Sequence, residues 1–180
     1  MIRSARSPSQ EAIPENLLSS VLHEEAFERL LSRETERAIR YRDVFSVCLL
    51  KPDLSDDLGG GAERLRQAVS DKVGQFLRST DLVGHVAQGI AVILLNTSGR
   101  DATGVAERIR SNIEQVAFSE RPEGPPRRLT VSVGEISFPH DGHSETLLLL
   151  RARANLQEAA LRGGNQVVYG AGNRDEPSIS

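Results

Sequence analysis

Tryptophan is absent, Met1 is the single methionine, and aromatic residues make up only 4% of the chain. Cys48 is the single cysteine, so no internal disulfide can form. It lies in the apolar run Val47-Cys48-Leu49-Leu50, which predicts a buried core thiol. A basic excess is also missing: the formal charge is −3. That argues against a general binder of nucleic acid or of a membrane surface, either of which needs clustered cations. No stretch approaches the ~20 consecutive apolar residues of a membrane span, so no membrane insertion is expected. Residues 1–15 are polar and have no apolar signal core, which makes a cytoplasmic protein the expectation.

What is present is ordinary for a globular domain. The 180 residues are 38% hydrophobic and 26% charged, enough for one domain with a real core. Residues 1–15 are rich in Ser, Arg, Glu and Pro and read as a flexible lead-in, and 171–180 as a flexible tail. The domain is expected over residues 16–170.

Between those ends the hydrophobic period alternates. Residues 25–40 carry Phe27, Leu30 and Leu31 on one stripe and predict a helix. Residues 44–50 form a buried strand that Lys51-Pro52-Asp53 is expected to end, because proline cannot donate to a ladder. A loop follows from Asp56 to Gly61, and then a helix marked by Leu65, Val69, Val73, Phe76 and Leu77. Leu82–Val86 and Ile90–Leu95 flank Ala87-Gln88-Gly89 as a β-hairpin. Ala102–Val116 is a helix, Glu120–Arg128 a Pro/Gly/Arg loop, and Leu129–Phe138 a strand. Thr146–Leu161 is a Leu/Ala-rich helix ended by Gly163-Gly164, and Gln166–Tyr169 a last short strand. The order predicts an α/β sandwich: a mixed five-stranded sheet with a central β-hairpin, flanked by helices.

Several blocks in this order resemble one family. "RETERAIRYRDVFSV", "LRSTDLVGH", "AERIR", "LTVSVGEISFPHDG" and "GGNQVV" are similar, at matching spacing, to stretches of the diguanylate cyclase (GGDEF) domain. The resemblance runs from residue 16 to about 169. It implies the nucleotidyl cyclase-type fold of that family. It also implies the family's chemistry, in which two facing domains each hold one GTP and the two are joined. That reaction uses carboxylates to hold Mg²⁺ on a triphosphate, and small hairpin-turn residues that let the nucleotide approach the backbone.

At the positions that the resemblance assigns to this chemistry, the chain departs from the family. Gly-Gly-Asp-Glu-Phe falls on Ala87-Gln88-Gly89-Ile90-Ala91, so both acids are replaced. The family's other metal aspartate, at the end of the first strand, is Lys51. The segment Ser55-Asp56 to Gly60 lacks the asparagine that recognises guanine, and the phosphate-contacting Lys and Arg are Ala160 and Gly164. The family's Asp-x-Leu-Thr-Gly-Leu-x-Asn stretch reads Asn16 to His23. The resemblance therefore implies a degenerate domain that is no enzyme, with no metal or other cofactor expected.

A second family site is matched. Arg78-Ser79-Thr80-Asp81 stands five residues before Ala87, as does the Arg-x-x-Asp inhibitory site (I-site) that binds the product c-di-GMP. Arg108, in "AERIR", takes the place of the arginine that completes that site. Arginine forks suit guanine O6 and N7 or a phosphate, and an aspartate can accept from the guanine N–H edge. Arg108 is expected at the border of its helix's apolar stripe. The alternative is structural. Arg78 and Asp81 at i, i+3 can pair at a helix end for roughly 0–1 kcal/mol, and "AERIR" can be a solvated face.

Other features read as structural. His140-Asp141-Gly142-His143 fits an ordinary turn better than a metal pair, and Arg121, Arg127 and Arg128 a solvated loop. Leu147–Leu150 is more apolar than one helix face needs, so one or two of its leucines can face a partner. The functional expectation is a c-di-GMP receptor in bacterial signalling, acting on an unidentified protein partner or a second copy. The alternative is a ligand-independent interaction or dimerisation module. Either would be regulated in trans, or be a piece of a larger protein.

Overall fold

Alternation of the 3.6 and 2.0 periods produces the layers. A computed structural model of the chain describes residues 21–54, 61–87, 89–119 and 123–170. The expected lead-in and tail, the segment 55–60, Gln88 and Arg121 lie outside the described residues. Helix α1 (Glu24–Tyr41) buries Phe27, Leu31, Thr35 and Ala38 along one face. It stops at Arg42, which adopts a left-handed conformation with φ 58°. Helix α2 (Gly61–Gln75) buries Leu65, Val69 and Val73, and α3 (Gly99–Gln115) buries Ala102, Ala106, Ile109 and Ile113. Helix α4 (Glu145–Leu161) begins at Ser144, whose hydroxyl accepts from the Leu147 N–H.

The main sheet has the order β1-β3-β4-β2-β7-β8. It comprises β1 (Val21–Leu22), β2 (Phe45–Pro52), β3 (Leu82–Val86), β4 (Gly89–Leu95), β7 (Val131–Phe138) and β8 (Val167–Tyr169). β1 pairs parallel with β3, β8 pairs parallel with β7, and the other pairs are antiparallel. The five expected strands are all present; the two-residue edge strand β1 is additional. In the expected loop, Ala117–Phe118 (β5) and Arg127–Arg128 (β6) form a small separate ladder. Its register is carried by two residue pairs, too short to leave a period-2 signal.

Each face of the sheet carries its own core. Along β2, Cys48 and Leu50 join Leu65, Val69, Ile109 and Ile113 under α2 and α3. Val47 and Leu49 point the other way, with Phe27, Leu31, Leu148 and Ala152 under α1 and α4. Cys48 is fully buried, and burial pushes its thiol pKa well up, an inert core thiol as expected. Helix α4 lies directly on the β7 backbone: a Cβ at Gly134 would come within 2.3 Å of Ala152 O and 2.4 Å of Leu156 N.

β2 does not end before Pro52. Lys51 pairs with Ser132 and Pro52 with Val131, after the ladder to β4 has stopped at Leu50–Ile90. Asp53 N–H donates to Thr130 O, so by alternation the donor that Pro52 lacks faces the side β4 has vacated. Proline is tolerated there because the β2–β4 ladder has already ended at Leu50–Ile90. Asp53 then clamps this end: its carboxylate accepts from the Thr130 and Ser132 hydroxyls, each at 2.7 Å, and from the Asn165 N–H at 2.9 Å.

Candidate functional site

The end of β2, the tip of the β3–β4 hairpin, the first half of α2 and the outer face of α4 enclose a cleft of about 1330 Å³. Its walls come from segments spread between His23 and Ala160, held by the two cores on either side of the sheet. Lys51, Ala87, Gly89, Ile90 and Ala160 all line it, so five of the positions assigned to the family's chemistry are brought together. Ala91 is fully buried on the opposite sheet face, against α1 and α4. Gly164 lies beside Asp53, where a Cβ would sit 3.0 Å from its carboxylate, and is not part of the lining.

The donor set does not fit Mg²⁺. Lys51 offers an ammonium, Gly89 has no side chain, and Ile90 is an alkyl group 1% exposed. Among the described residues no group of three or more His, Cys, Asp or Glu could hold a metal ion. Gly89 has φ 147°, and a Cβ there would lie 2.2 Å from Leu50 O, so the backbone admits only glycine at this point.

Among the described lining residues, the charged side chains are Lys51, Arg66, Arg153 and Glu63, and Glu63 pairs with Arg66 at 3.0 Å. The side chains of Lys51 and Arg153 have no hydrogen bond or ion pair among the described residues. At the rim, the Ala87 N–H on the hairpin tip donates to Glu24 Oε1 at 2.9 Å, across 63 residues of sequence. Glu24, Arg66 and Arg153 were not singled out in the sequence. They sit in amphipathic helices where an exposed charge is unremarkable, and only the packing of α1, α2 and α4 around the hairpin gives them a common surroundings.

The second set lies elsewhere. Arg78 and Asp81 are joined by a tight turn between α2 and β3: Asp81 N–H donates to Arg78 O at 3.1 Å, and Arg78 N–H to Asp81 Oδ2 at 3.1 Å. The side-chain pairing of the two, the structural alternative, does not form; the carboxylate takes the backbone N–H and the Arg78 guanidinium is left exposed. Arg108 is exposed on α3. It lies about 130° round the helix from the buried stripe, further into solvent than the border position expected. Both guanidinium groups lack a partner among the described residues, whereas neighbouring Arg110 is fixed by Glu107, Glu114 and Asn165. The Glu107 hydrogen bond is the main reason the Arg110 pKa is raised. α2 and α3 rest on the same core cluster.

The remaining candidates resolve as structure. His140 Nδ1 meets Asp141 Oδ1 at 2.8 Å, and the buried Asp141 carboxylate accepts from the Ser137 N–H, which makes the segment a turn. Arg127 and Arg128 are exposed on β6. Leu148 and Leu149 are core, while Leu150 is 62% exposed at the cleft. One unexpected feature is Glu135, buried in β7 opposite Cys48. Its Oε1 accepts from Ser137 Oγ, which is linked to Ser46 Oγ and to the Gly99 N–H at the start of α3. Burial raises its pKa, and those hydroxyls oppose the rise.

The family described as "Diguanylate cyclase, GGDEF domain" matches residues 18–166. Diguanylate cyclase A of Treponema denticola is 34% identical over 138 residues, covering 73% of this chain and 37% of that protein. The probable diguanylate cyclase DgcT of Escherichia coli K12 is 26% identical over 107 residues, covering 59% and 24%. The chain thus spans roughly a quarter to a third of the length of these curated relatives. The crystal structure of the GGDEF domain of YfiN from Pseudomonas aeruginosa superposes with a TM-score of 0.77 at 20% identity, covering 84% of this chain and 97% of that one. The GGDEF domain of DgcB from Caulobacter crescentus, in complex with c-di-GMP, gives 0.70 at 17% identity, covering 94% and 97%.

Proposed function

The chain belongs to the GGDEF (diguanylate cyclase) family, and on that premise we propose that it makes no cyclic nucleotide and instead binds c-di-GMP through Arg78, Asp81 and Arg108. The observation that carries this reading is the state of the two arginines. Arg66 and Arg110 are each fixed by a carboxylate. The Arg78 and Arg108 guanidinium groups have none among the described residues, and the Asp81 carboxylate is held by the Arg78 backbone N–H. Two free forks and a fixed acceptor suit the guanine edges and phosphates of a cyclic dinucleotide. The solved DgcB domain, of the same fold, holds c-di-GMP. Binding would be read out by a protein partner or a second copy.

The inactive half of the proposal rests on the donor set at the hairpin. An ammonium at Lys51 and no side-chain oxygen at positions 89 and 90 offer nothing to hold a metal on a triphosphate. Calorimetry with c-di-GMP tests the first half. Saturable binding that drops on Arg78→Ala supports it; no heat at high micromolar ligand, or binding unchanged in that variant, ends it. Incubation with GTP and Mg²⁺ tests the second, and any c-di-GMP formed by the purified chain ends it. The alternative of a ligand-independent interaction module draws on the exposed Ile39, Tyr41, Leu150 and Leu161. A partner whose binding ignores both c-di-GMP and Arg78→Ala would favour it.

A further inference from the structure

We infer that the outer face of α1 is an interface between two copies of this chain, the two helices lying antiparallel about a two-fold axis beside Ser32. Glu25, Arg29, Arg33, Glu36 and Arg40 are all exposed. At 100° per residue they fall within an arc of about 80°, opposite the buried stripe of Phe27, Leu31, Thr35 and Ala38. The outermost line of this 18-residue helix is therefore entirely charged. Glu25 and Arg29 meet at 3.7 Å, both largely exposed. The side chains of Arg33, Glu36 and Arg40 have no partner among the described residues. On the other helices Arg66, Arg110 and Arg162 each close an i, i+3 or i, i+4 pair.

The order of the charges selects the partner. About the midpoint between Ser32 and Arg33, Glu25 mirrors Arg40 and Arg29 mirrors Glu36. An antiparallel copy sets Glu25 against Arg40 and Arg29 against Glu36, and the two-fold repeats each pair, as an isologous interface requires. A parallel copy in register would set like charges together at all of these positions, which is costly. Ser32, beside the axis, is small enough for the helices to approach. Arg33 meets its own copy there, the one unfavourable contact in the pattern. A single helix crossing is smaller than the ~800 Å² per partner of a stable complex. The pair is therefore weak, with a Kd on the order of 100 µM, and sensitive to salt.

This arrangement differs from the facing pair that joins two GTP. The hairpin tip touches α1 at Glu24, its first residue, through the Ala87 N–H. Antiparallel helices of roughly 27 Å carry the two clefts to opposite ends. α1 covers one sheet face, and α2 and α3 the other. Pairing therefore leaves Arg78, Asp81 and Arg108 uncovered, and the inference goes beyond the c-di-GMP reading without resting on it.

Sedimentation velocity of the full chain, from about 5 µM to about 1 mM and at low and high salt, is the test. A concentration-dependent shift from monomer toward dimer is expected, weaker in high salt. Glu25→Arg and Arg40→Glu should each weaken pairing about tenfold, and a mixture of the two variants should restore it, because both cross-pairs are then opposite in sign. Arg33→Gln should strengthen pairing severalfold by removing the repulsion at the axis. Arg64→Glu, exposed on α2 with no partner among the described residues, makes the same charge change on the other sheet face and should leave pairing unchanged. Thermal melts confirm that each variant is folded. The proposal is overturned by a monomer at every concentration in low salt, by undiminished pairing in folded Arg40→Glu, by an equal loss in Arg64→Glu, by weaker pairing in Arg33→Gln, or by a mixture that does not recover.

Discussion

Replacing Gly89 by alanine tests whether the hairpin tip is locked. The added Cβ would lie 2.2 Å from Leu50 O and 3.3 Å from Leu50 C. Ordinary carbon–oxygen contact requires 3.3 Å or more, so roughly 1 Å of movement must be found. The atoms to be moved are backbone at the last β2–β4 pair, Leu50–Ile90, where Ile90 is core on one side. The backbone itself is also unsuitable, because φ 147° is glycine territory and costs an L-residue about 1–3 kcal/mol. Losing or lengthening a ladder hydrogen bond adds about 1 kcal/mol. The sum is about 2–4 kcal/mol, a large part of a stability that is typically about 5–15 kcal/mol. Guanidinium denaturation measures it as a lower midpoint at unchanged slope. Gly104→Ala is the matched control: it sits in α3 with nothing within 4 Å of its Cβ, and should stabilise by about 0.5–1 kcal/mol. If Gly89→Ala unfolds within about 0.5 kcal/mol of the parent while Gly104→Ala shifts as expected, the lock is refuted. If the lock holds, writing an aspartate back at position 89 meets the same backbone, and restoring the motif by substitution distorts the hairpin before it restores chemistry.

Three further outcomes are expected. Glu135→Gln should stabilise the protein at neutral pH and flatten its pH dependence, read by thermal melts across pH 4–8. Burial raises the folded pKa of Glu135, so its contribution is complete below the ordinary carboxyl value, near 4.5, and is lost as pH rises through the raised value; a parent whose stability rises over that window because of this group would contradict the assignment. Asp53→Ala should cost about 2–4 kcal/mol, because it orphans the hydroxyls of Thr130 and Ser132 and the Asn165 N–H together; a loss below about 0.5 kcal/mol in denaturation would show that the clamp is not holding β2 to β7. Arg78→Ala and Arg108→Ala should each weaken c-di-GMP about tenfold or more in calorimetry, with melting temperature unchanged, since neither guanidinium has a partner to lose among the described residues.

Much of the fold was legible because it is written in local periodicity. The stripe at Phe27 and Leu31, the alternation through β2 and β7, and the glycine-bearing turn near residue 89 are each confined to a few turns or one hairpin. Elements whose pairing is two residues long, β1, β5 and β6, carry no period to read. Pro52 was misjudged because whether its missing donor matters depends on which neighbour strand has already ended.

The site divides in the same way. Lys51, Gly89, Ile90, Arg78, Asp81 and Arg108 stood out as residue types at fixed spacing, a property of the chain alone. The sequence by itself determined that no carboxylate occupies positions 51, 89 and 90, and that an Arg-x-x-Asp precedes the hairpin. Tertiary structure alone decided that Lys51 and Arg153 share a cleft, that Glu24 reaches the Ala87 N–H, and that Leu50 O forbids a side chain at position 89. Each of those joins segments tens of residues apart. Their meeting is set by how α1, α2 and α4 pack on the two faces of one sheet, and no local pattern encodes that distance.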